Sequence, residues 1–279
     1  MRLGGPVFSE KGDAAAWVAA LKAAGYRAAA FPLAYDADRD LIRAHVDAAQ
    51  AADILIAEVG AWSNPISPDE AVRQAAIEKC QQQLALADEI GAGCCVNIAG
   101  SRNPERWDGP HPDNLTSDTF DLIVETVRSI IDAVRPQRAY YTLETMPWIY
   151  PDSADSYLAL IDAIDRPNFA VHFDPVNLIC SPQRCFDNAA LIRDFIQKLG
   201  PYIKSCHAKD ITLANKLTVH LDEVRPGAGV LDYHMLLPLL ENLSADIPLL
   251  LEHLEHEADY RLAAAHIRQV AAETNVRLV

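Results

Sequence analysis

Eight short apolar runs alternate with eight amphipathic stretches along the 279-residue chain, and few folds satisfy that rhythm. The expected strands are Arg2–Gly4, Arg27–Phe31, Ile54–Val59, Gly93–Ile98, Ala139–Glu144, Phe169–Asp174, Ile203–His207 and Leu249–Glu252. The expected helices are Ala14–Ala24, Arg39–Ala52, Pro68–Ile90, Thr116–Val134, Ser153–Ile164, Asn188–Leu199, Tyr233–Leu243 and Ala258–Thr274. A strand followed by a helix, eight times over, is the count of a closed α/β barrel, the (β/α)8 or TIM barrel, which takes about 250 residues as one domain. A single barrel domain spanning 1–279 is therefore expected. An open doubly wound sheet shares the alternation, but the early glycines in LGGP are not followed by a GxGxxG phosphate fingerprint.

Helix boundaries carry their own signals. SPDE before the third helix and TSD before the fourth offer side-chain oxygens to unpaired N–H groups, with Pro68 suited to a first turn. Gly25, Gly91 and Gly200 follow helices where a left-handed residue ends them. In the last helix Leu262, Ala265, His266 and Val270 define the expected inward face.

Four of the later strands end in a polar residue: Glu144 in AYYTLETMPW, Asp174 in FAVHFDPVN, His207 in IKSCHAKD and Glu252 in PLLLEHLE. The intervals of 30, 33 and 45 residues each leave room for a loop, a helix and the next strand. In a barrel, strand C-termini share the face that carries the active site. Three carboxylates and one imidazole converging there suit a single Mn2+, Mg2+ or Co2+, with Mn2+ placed first, rather than structural zinc, which prefers thiolate and imidazole. Strand alternation puts Glu144 on the side of Thr142, Asp174 on that of His172, and His207 on that of Ser205 and Lys209. Glu252 shares its side with Leu250, which turns His253 toward the helix layer.

Further candidates surround this set. His172 is placed to support a metal ligand, or else to be a satisfied core histidine. Lys209, Asn177 in DPVN, Asn97 on the fourth strand and Arg225 in VRPGAG are candidate substrate contacts, and Trp62 at the end of strand three offers a stacking face for a sugar ring. Gly227 and Gly229 indicate a tight turn beside Arg225.

The formal net charge of −15 argues against a nucleic-acid surface, and no apolar run reaches the roughly 20 residues that cross a bilayer. The sequence MRLGGPVFSEKGD also lacks the apolar stretch of a secretory signal, so a cytoplasmic location is expected. Six cysteines without a CxxC pair read as reduced, buried or partly buried thiols. Such a chain is compatible with assembly into a homo-oligomer.

LE at Leu143–Glu144, FDPVN at Phe173–Asn177, CHAKD at Cys206–Asp210, RPGAGVLDY at Arg225–Tyr233 and LLLEH at Leu249–His253 together resemble the xylose isomerase-like TIM-barrel superfamily, the sugar phosphate isomerases and epimerases. The resemblance implies one divalent cation on Glu144, Asp174, His207 and Glu252, and a small sugar or keto-sugar as substrate. It also implies that Glu144 and Glu252 exchange protons with the substrate carbon, in an isomerase or epimerase. Two positions depart from the ketose 3-epimerases of the group. Asn177 replaces a histidine, and MPWIYPD lacks a glutamate. The HxKD form at His207–Asp210 is closer to inosose and dehydroshikimate dehydratases, and the group also holds C-glycoside deglycosidases, so a keto-sugar or keto-cyclitol lyase is the alternative. AP endonucleases share the fold. Their pattern requires further histidines where this chain has Glu58, Asn97 and Asn177.

Overall fold

The computed structural model describes residues 1–8 and 12–279. Its strands are β1 (Arg2–Gly4), β2 (Ala28–Ala30), β3 (Leu55–Gly60), β4 (Cys94–Asn97), β5 (Tyr140–Glu144), β6 (Phe169–Phe173), β7 (Ile203–Ala208), β8 (Asp210–Leu213), β9 (Leu221–Val224) and β10 (Pro248–Leu251). Its α-helices are α1 (Ala14–Ala24), α2 (Arg39–Ala51), α3 (Glu70–Ile90), α4 (Ser117–Val134), α5 (Ala154–Ile164), α6 (Pro182–Phe186), α7 (Asn188–Leu199), α8 (Tyr233–Glu241) and α9 (Glu257–Glu273). Eight of the strands close a parallel barrel in the order β1-β10-β7-β6-β5-β4-β3-β2, the (β/α)8 architecture expected from the alternation.

Helix α4 shows why these segments fold as they do. Ile123, Val127, Ile130 and Ile131 recur at helical spacing and are all buried, each burial stabilising the fold by about 1.5–3 kcal/mol, while Thr116 caps the helix by accepting from Thr119 N. Tyr157 of α5 reaches over the sheet and donates to the carbonyls of Leu143 (2.5 Å) and Ala170 (2.9 Å), bracing β5 against β6 above their hydrophobic packing. All six cysteines are free; only Cys180 is exposed.

Three boundary expectations need correction. The N-cap of α3 is Asp69, which accepts from Ala71 N and Val72 N, so Pro68 lies outside the first turn. Gly25 and Gly91 are left-handed as expected, but Gly200 keeps helical angles and leads into a 3-10 turn, Gly200–Tyr202. The buried face of α9 is Tyr260, Ala263, Ala264, Ile267, Val270 and Ala271, leaving Leu262 52% exposed. Two stripes of similar apolarity compete on that helix, and the one with paired alanines permits closer approach to the sheet. The β8–β9 hairpin and α6 are additions that the strand–helix count omits; both sit in the long connections that follow metal-ligand candidates.

Candidate metal centre and its cavity

Each of the four strand-end candidates is delivered to the same end of the barrel. Glu144 closes β5, Asp174 follows β6, His207 lies near the end of β7 and Glu252 follows β10. Register brings them together: Leu250 pairs with His207 and Glu144 with His172. The Thr145 hydroxyl donates to Asp174 O (2.8 Å) and accepts from Asp174 N (3.2 Å), locking the ends of β5 and β6 to one another. One ligand atom from each of Glu144, Asp174, His207 and Glu252 lies within 4.8 Å of every other.

The DPVN turn divides the labour of Asp174. Its Oδ1 accepts from Val176 N (2.9 Å) and Asn177 N (3.3 Å), which leaves Oδ2 pointing into the cluster. His207 turns Nδ1 toward Glu252 (2.8 Å) and Glu144 (3.3 Å) and Nε2 toward Glu58 (3.4 Å). Lys209, 1% exposed, holds its Nζ 2.7 Å from Asp174 Oδ2 and 2.5 Å from Glu252 Oε1. These are close charge contacts without hydrogen-bond alignment, and both oxygens are buried with no aligned donor among the described residues. Buried acceptors left so are costly unless something else meets them. Three carboxylates against one ammonium leave a net charge of −2 when His207 is neutral, which one divalent cation balances. The donor set therefore fits a hard divalent cation.

The electrostatics without that cation tell the same story. Burial opposes the charged form of His207, yet Glu252, Glu144 and Glu58 outweigh it and hold the imidazole well above its usual value. Burial pushes Asp174 up to about 7, with Glu144 and Glu252 adding to it against the pull of Lys209. For Glu144, burial and the Glu252 charge act upward, but His207 and Lys209 bring it to about 2. Glu252 also lies below the carboxylate range because His207 and Lys209 overcome its burial. Protons on Asp174 and His207 thus do in part what a metal charge would do.

Beneath this cluster lies a second buried layer. Glu58 of β3 accepts from Ser205 Oγ (2.9 Å), sits 3.0 Å from His172 Nε2, and faces His207 Nε2. The two imidazoles meet edge to face at 4.1 Å. His172 therefore reaches the cluster through Glu58 and through the His207 ring itself, and it stands off the wall of the cavity above. A carboxylate on the far nitrogen of a metal-binding histidine fixes its tautomer and orientation. Glu58 is the supporting residue the sequence did not single out for this role, and its strand-three parity was the available signal.

Above this cluster a cavity of about 1040 Å3 opens, and Trp62, Asn177, Lys209, Glu144, His207 and Glu252 line it together with Glu223 and His253. Asn177 Nδ2 donates to Glu144 Oε1 (3.0 Å), so it orients a ligand candidate as well as facing the cavity. Asn97 is absent from this wall. It points outward, accepting from Ser63 N (3.1 Å) and donating to Ser63 O (3.2 Å) and Cys80 Sγ, which corrects the expectation of a substrate contact. Arg225 likewise stands off the wall and donates to Pro226 O (3.1 Å); the residue that β9 sends into the cavity is Glu223, 3.7 Å from Lys209 Nζ. His253 does not enter the helix layer. The strand ends at Leu251, φ at His253 is +57°, and the ring swings to the cavity side 3.2 Å from Glu223.

Asp210 closes the HxKD motif with a structural task. Its two oxygens accept from the backbone N–H groups of Ile211 (2.9 Å), Gly227 (2.9 Å), Gly229 (3.1 Å) and Leu231 (2.8 Å). The backbone at Gly227 has φ +85°, and a Cβ on Gly229 would fall 2.3 Å from Asp210 Oδ1, which explains both glycines. Tyr233 OH donates to Lys209 O (2.6 Å) and fixes the ammonium-bearing residue next to it.

Residues 18–270 match the family model described as Xylose isomerase-like TIM barrel. A curated relative, 3-dehydroshikimate dehydratase of Bacillus anthracis, is 26% identical over 143 residues, which are 51% of this chain and 46% of the relative, so the match spans about half of each. Among solved structures, a xylose isomerase-like TIM-barrel protein of Mycobacterium smegmatis in complex with magnesium superposes with a TM-score of 0.69 at 17% identity, over 95% of this chain and 90% of that one. L-ribulose 3-epimerase gives 0.71 at 15% identity, over 98% and 94%. At such identities the structural likeness speaks to the fold. No helix among the described residues is long and apolar enough to cross a membrane.

Proposed function

The chain belongs to the xylose isomerase-like TIM-barrel family, and from that premise we propose that it is a divalent-metal-dependent isomerase or epimerase of a sugar or keto-sugar. The observation that carries the reading is the convergence of Glu144, Asp174, His207 and Glu252, with two buried carboxylate oxygens that no aligned donor meets. A bound cation, Mn2+ by our reading, would supply Lewis-acid polarisation of the substrate carbonyl and lower the cost of charge on the adjacent carbon. The protein's own groups do the rest. Glu144 closes β5, Glu252 follows β10, and both border the cavity, so a carbon held between them can lose a proton to one carboxylate and gain one from the other. Asn177 holds Glu144 in place through its amide, and Lys209 offsets part of the charge that Glu252 and Asp174 carry.

A second reading is elimination from a keto-sugar or keto-cyclitol, which begins with the same proton abstraction. The similarity to 3-dehydroshikimate dehydratase favours it, as does Lys209, a buried ammonium 2.5 Å from Glu252 that is placed to assist a leaving oxygen. Solvent deuterium uptake into ketoses, inososes and keto-glycosides by Mn2+-loaded protein separates the two. Label retained in an intact sugar supports isomerisation, whereas loss of water or of an aglycone supports the lyase. Glu144→Gln and Glu252→Gln should each lower exchange by about 10²–10⁴-fold. Wild-type exchange in either variant with metal bound would sink the two-carboxylate mechanism.

A further inference from the structure

The cavity has two chemically distinct zones. Its floor is the carboxylate, imidazole and ammonium set described above, joined by Asn177, Glu223 and His253, and it suits a hydroxylated ring. Its rim over the loops after β3, β4 and β5 is apolar. Trp62, Trp107 and Trp148 line it while remaining 38%, 41% and 38% exposed, and Met146 lines the cavity with its Sδ 3.8 Å from Asn177 Nδ2. Large indoles left half open on a cavity wall give up burial that the fold could otherwise use, which marks a binding surface rather than core.

The rim is built rather than incidental. The Trp62 indole lies over Gly60 so closely that a Cβ there would come 2.4 Å from its Nε1, so only glycine allows this ring to lie flat against the strand end. Trp148 is tethered to the neighbouring loop, its Nε1 donating to Asp108 O (2.8 Å). The charged groups nearby are engaged with each other: Arg106 Nε donates to Asp108 Oδ1 at 3.0 Å. The volume of about 1040 Å3 stands at the top of the roughly 300–1,000 Å3 that holds drug-sized ligands, more than one sugar ring requires.

From these observations we infer that the substrate is a keto-sugar bearing a planar aromatic substituent, an aryl glycoside, whose aromatic ring lies on Trp107 and Trp148 while its sugar reaches the floor. The inference rests on the reading of the floor as a keto-sugar site. Aromatic pairs prefer offset or edge-to-face contact, and three indoles on consecutive loops offer both.

The test compares phenyl and methyl glycosides of 3-keto-glucose binding to the Mn2+-loaded full chain by calorimetry, with α-proton exchange followed in parallel. The phenyl compound should bind at least tenfold tighter, about 1.4 kcal/mol. Trp107→Ala and Trp148→Ala should each remove most of that difference and leave the methyl compound's affinity unchanged. Trp148→Phe keeps a ring but loses the tether to Asp108, and it should retain the preference. If the alanine variants fail to fold, Trp107→Leu, which keeps apolar bulk without the indole, decides the matter: it should lose the preference. Equal binding of the two glycosides to the wild type, or a preference insensitive to both tryptophans, would overturn the aryl-glycoside assignment even if exchange proceeds. A phenyl preference without any α-proton exchange would instead leave the subsite standing and reject the catalytic reading.

Discussion

Replacing Glu58 by glutamine tests whether the layer beneath the ligands governs the metal. The carboxylate presents one oxygen to His207 Nε2 at 3.4 Å and the other to Ser205 Oγ and His172 Nε2 at 2.9 and 3.0 Å. Glutamine keeps one oxygen, which the two shorter contacts will claim. Its amide then turns N–H groups toward His207 Nε2, and two donors meet unless the imidazole moves its proton to Nδ1, the nitrogen that faces Glu144 and Glu252. Either outcome weakens a metal ligand. Loss of such support costs about 10–100-fold in metal affinity. The long 3.4 Å contact places the expected loss near the lower end, about tenfold or 1.4 kcal/mol. Competition of Mn2+ between the protein and a chelating dye, with circular dichroism to verify the fold, gives the number directly. An affinity within twofold of wild type would refute the argument that Glu58 sets the His207 tautomer. His172→Asn, which leaves the Glu58 carboxylate facing His207, should cost less than Glu58→Gln.

Metal affinity should rise with pH across neutrality, because Asp174, held at about 7, and His207, held above its usual value, must both give up protons to bind a cation. Calorimetry near pH 7 in two buffers of different ionisation enthalpy should detect proton release, and binding without protons released would contradict the assignment. Lys209→Met should destabilise the metal-free protein by about 3–5 kcal/mol, since it strands Asp174 and Glu252 without their nearest cation. Lys209 is held well above its ordinary value because Asp174, Glu144, Glu252 and Glu223 overcome its burial, so this contribution is complete at neutral pH and is lost only in strong alkali. Thermal melts with and without Mn2+ check it: a larger metal-induced rise in Tm is expected for the variant than for wild type, and an equal rise would count against the pairing.

The barrel and its four strand-end ligand candidates were legible because each depends on local pattern: apolar runs of strand length, amphipathic helices, and a polar residue closing each of four strands. What escaped depends on direction or on distance along the chain. In β4, Cys94 and Val96 face one way and Cys95 and Asn97 the other, yet all four are buried, so polarity could not say which pair looks into the barrel. His253 was assigned by alternation beyond the point where alternation ends; its φ of +57° breaks the pattern after Leu251. Glu58 meets partners 114 and 149 residues away, a relation that no window of sequence displays. Arg225 and Glu223 show a similar limit. Glycine and proline announced the turn, but only the β8–β9 hairpin determines which side chain of that segment enters the cavity.

The four amides gathered by Asp210 give the connection after β7 the character of an interchangeable part. The carboxylate of Asp210, two residues past the end of β7, pins both ends of the segment from Ile211 to Leu231, whose middle is the β8–β9 ladder, and that segment carries Glu223 into the cavity without contributing any of the four clustered ligand candidates. A variant that keeps this aspartate and the receiving glycines but carries a rewritten hairpin would leave Glu144, Asp174, His207 and Glu252 on the connections that already hold them. A graft confined to this hairpin would therefore change what Glu223 and its neighbours present to the cavity while the four clustered side chains keep their places.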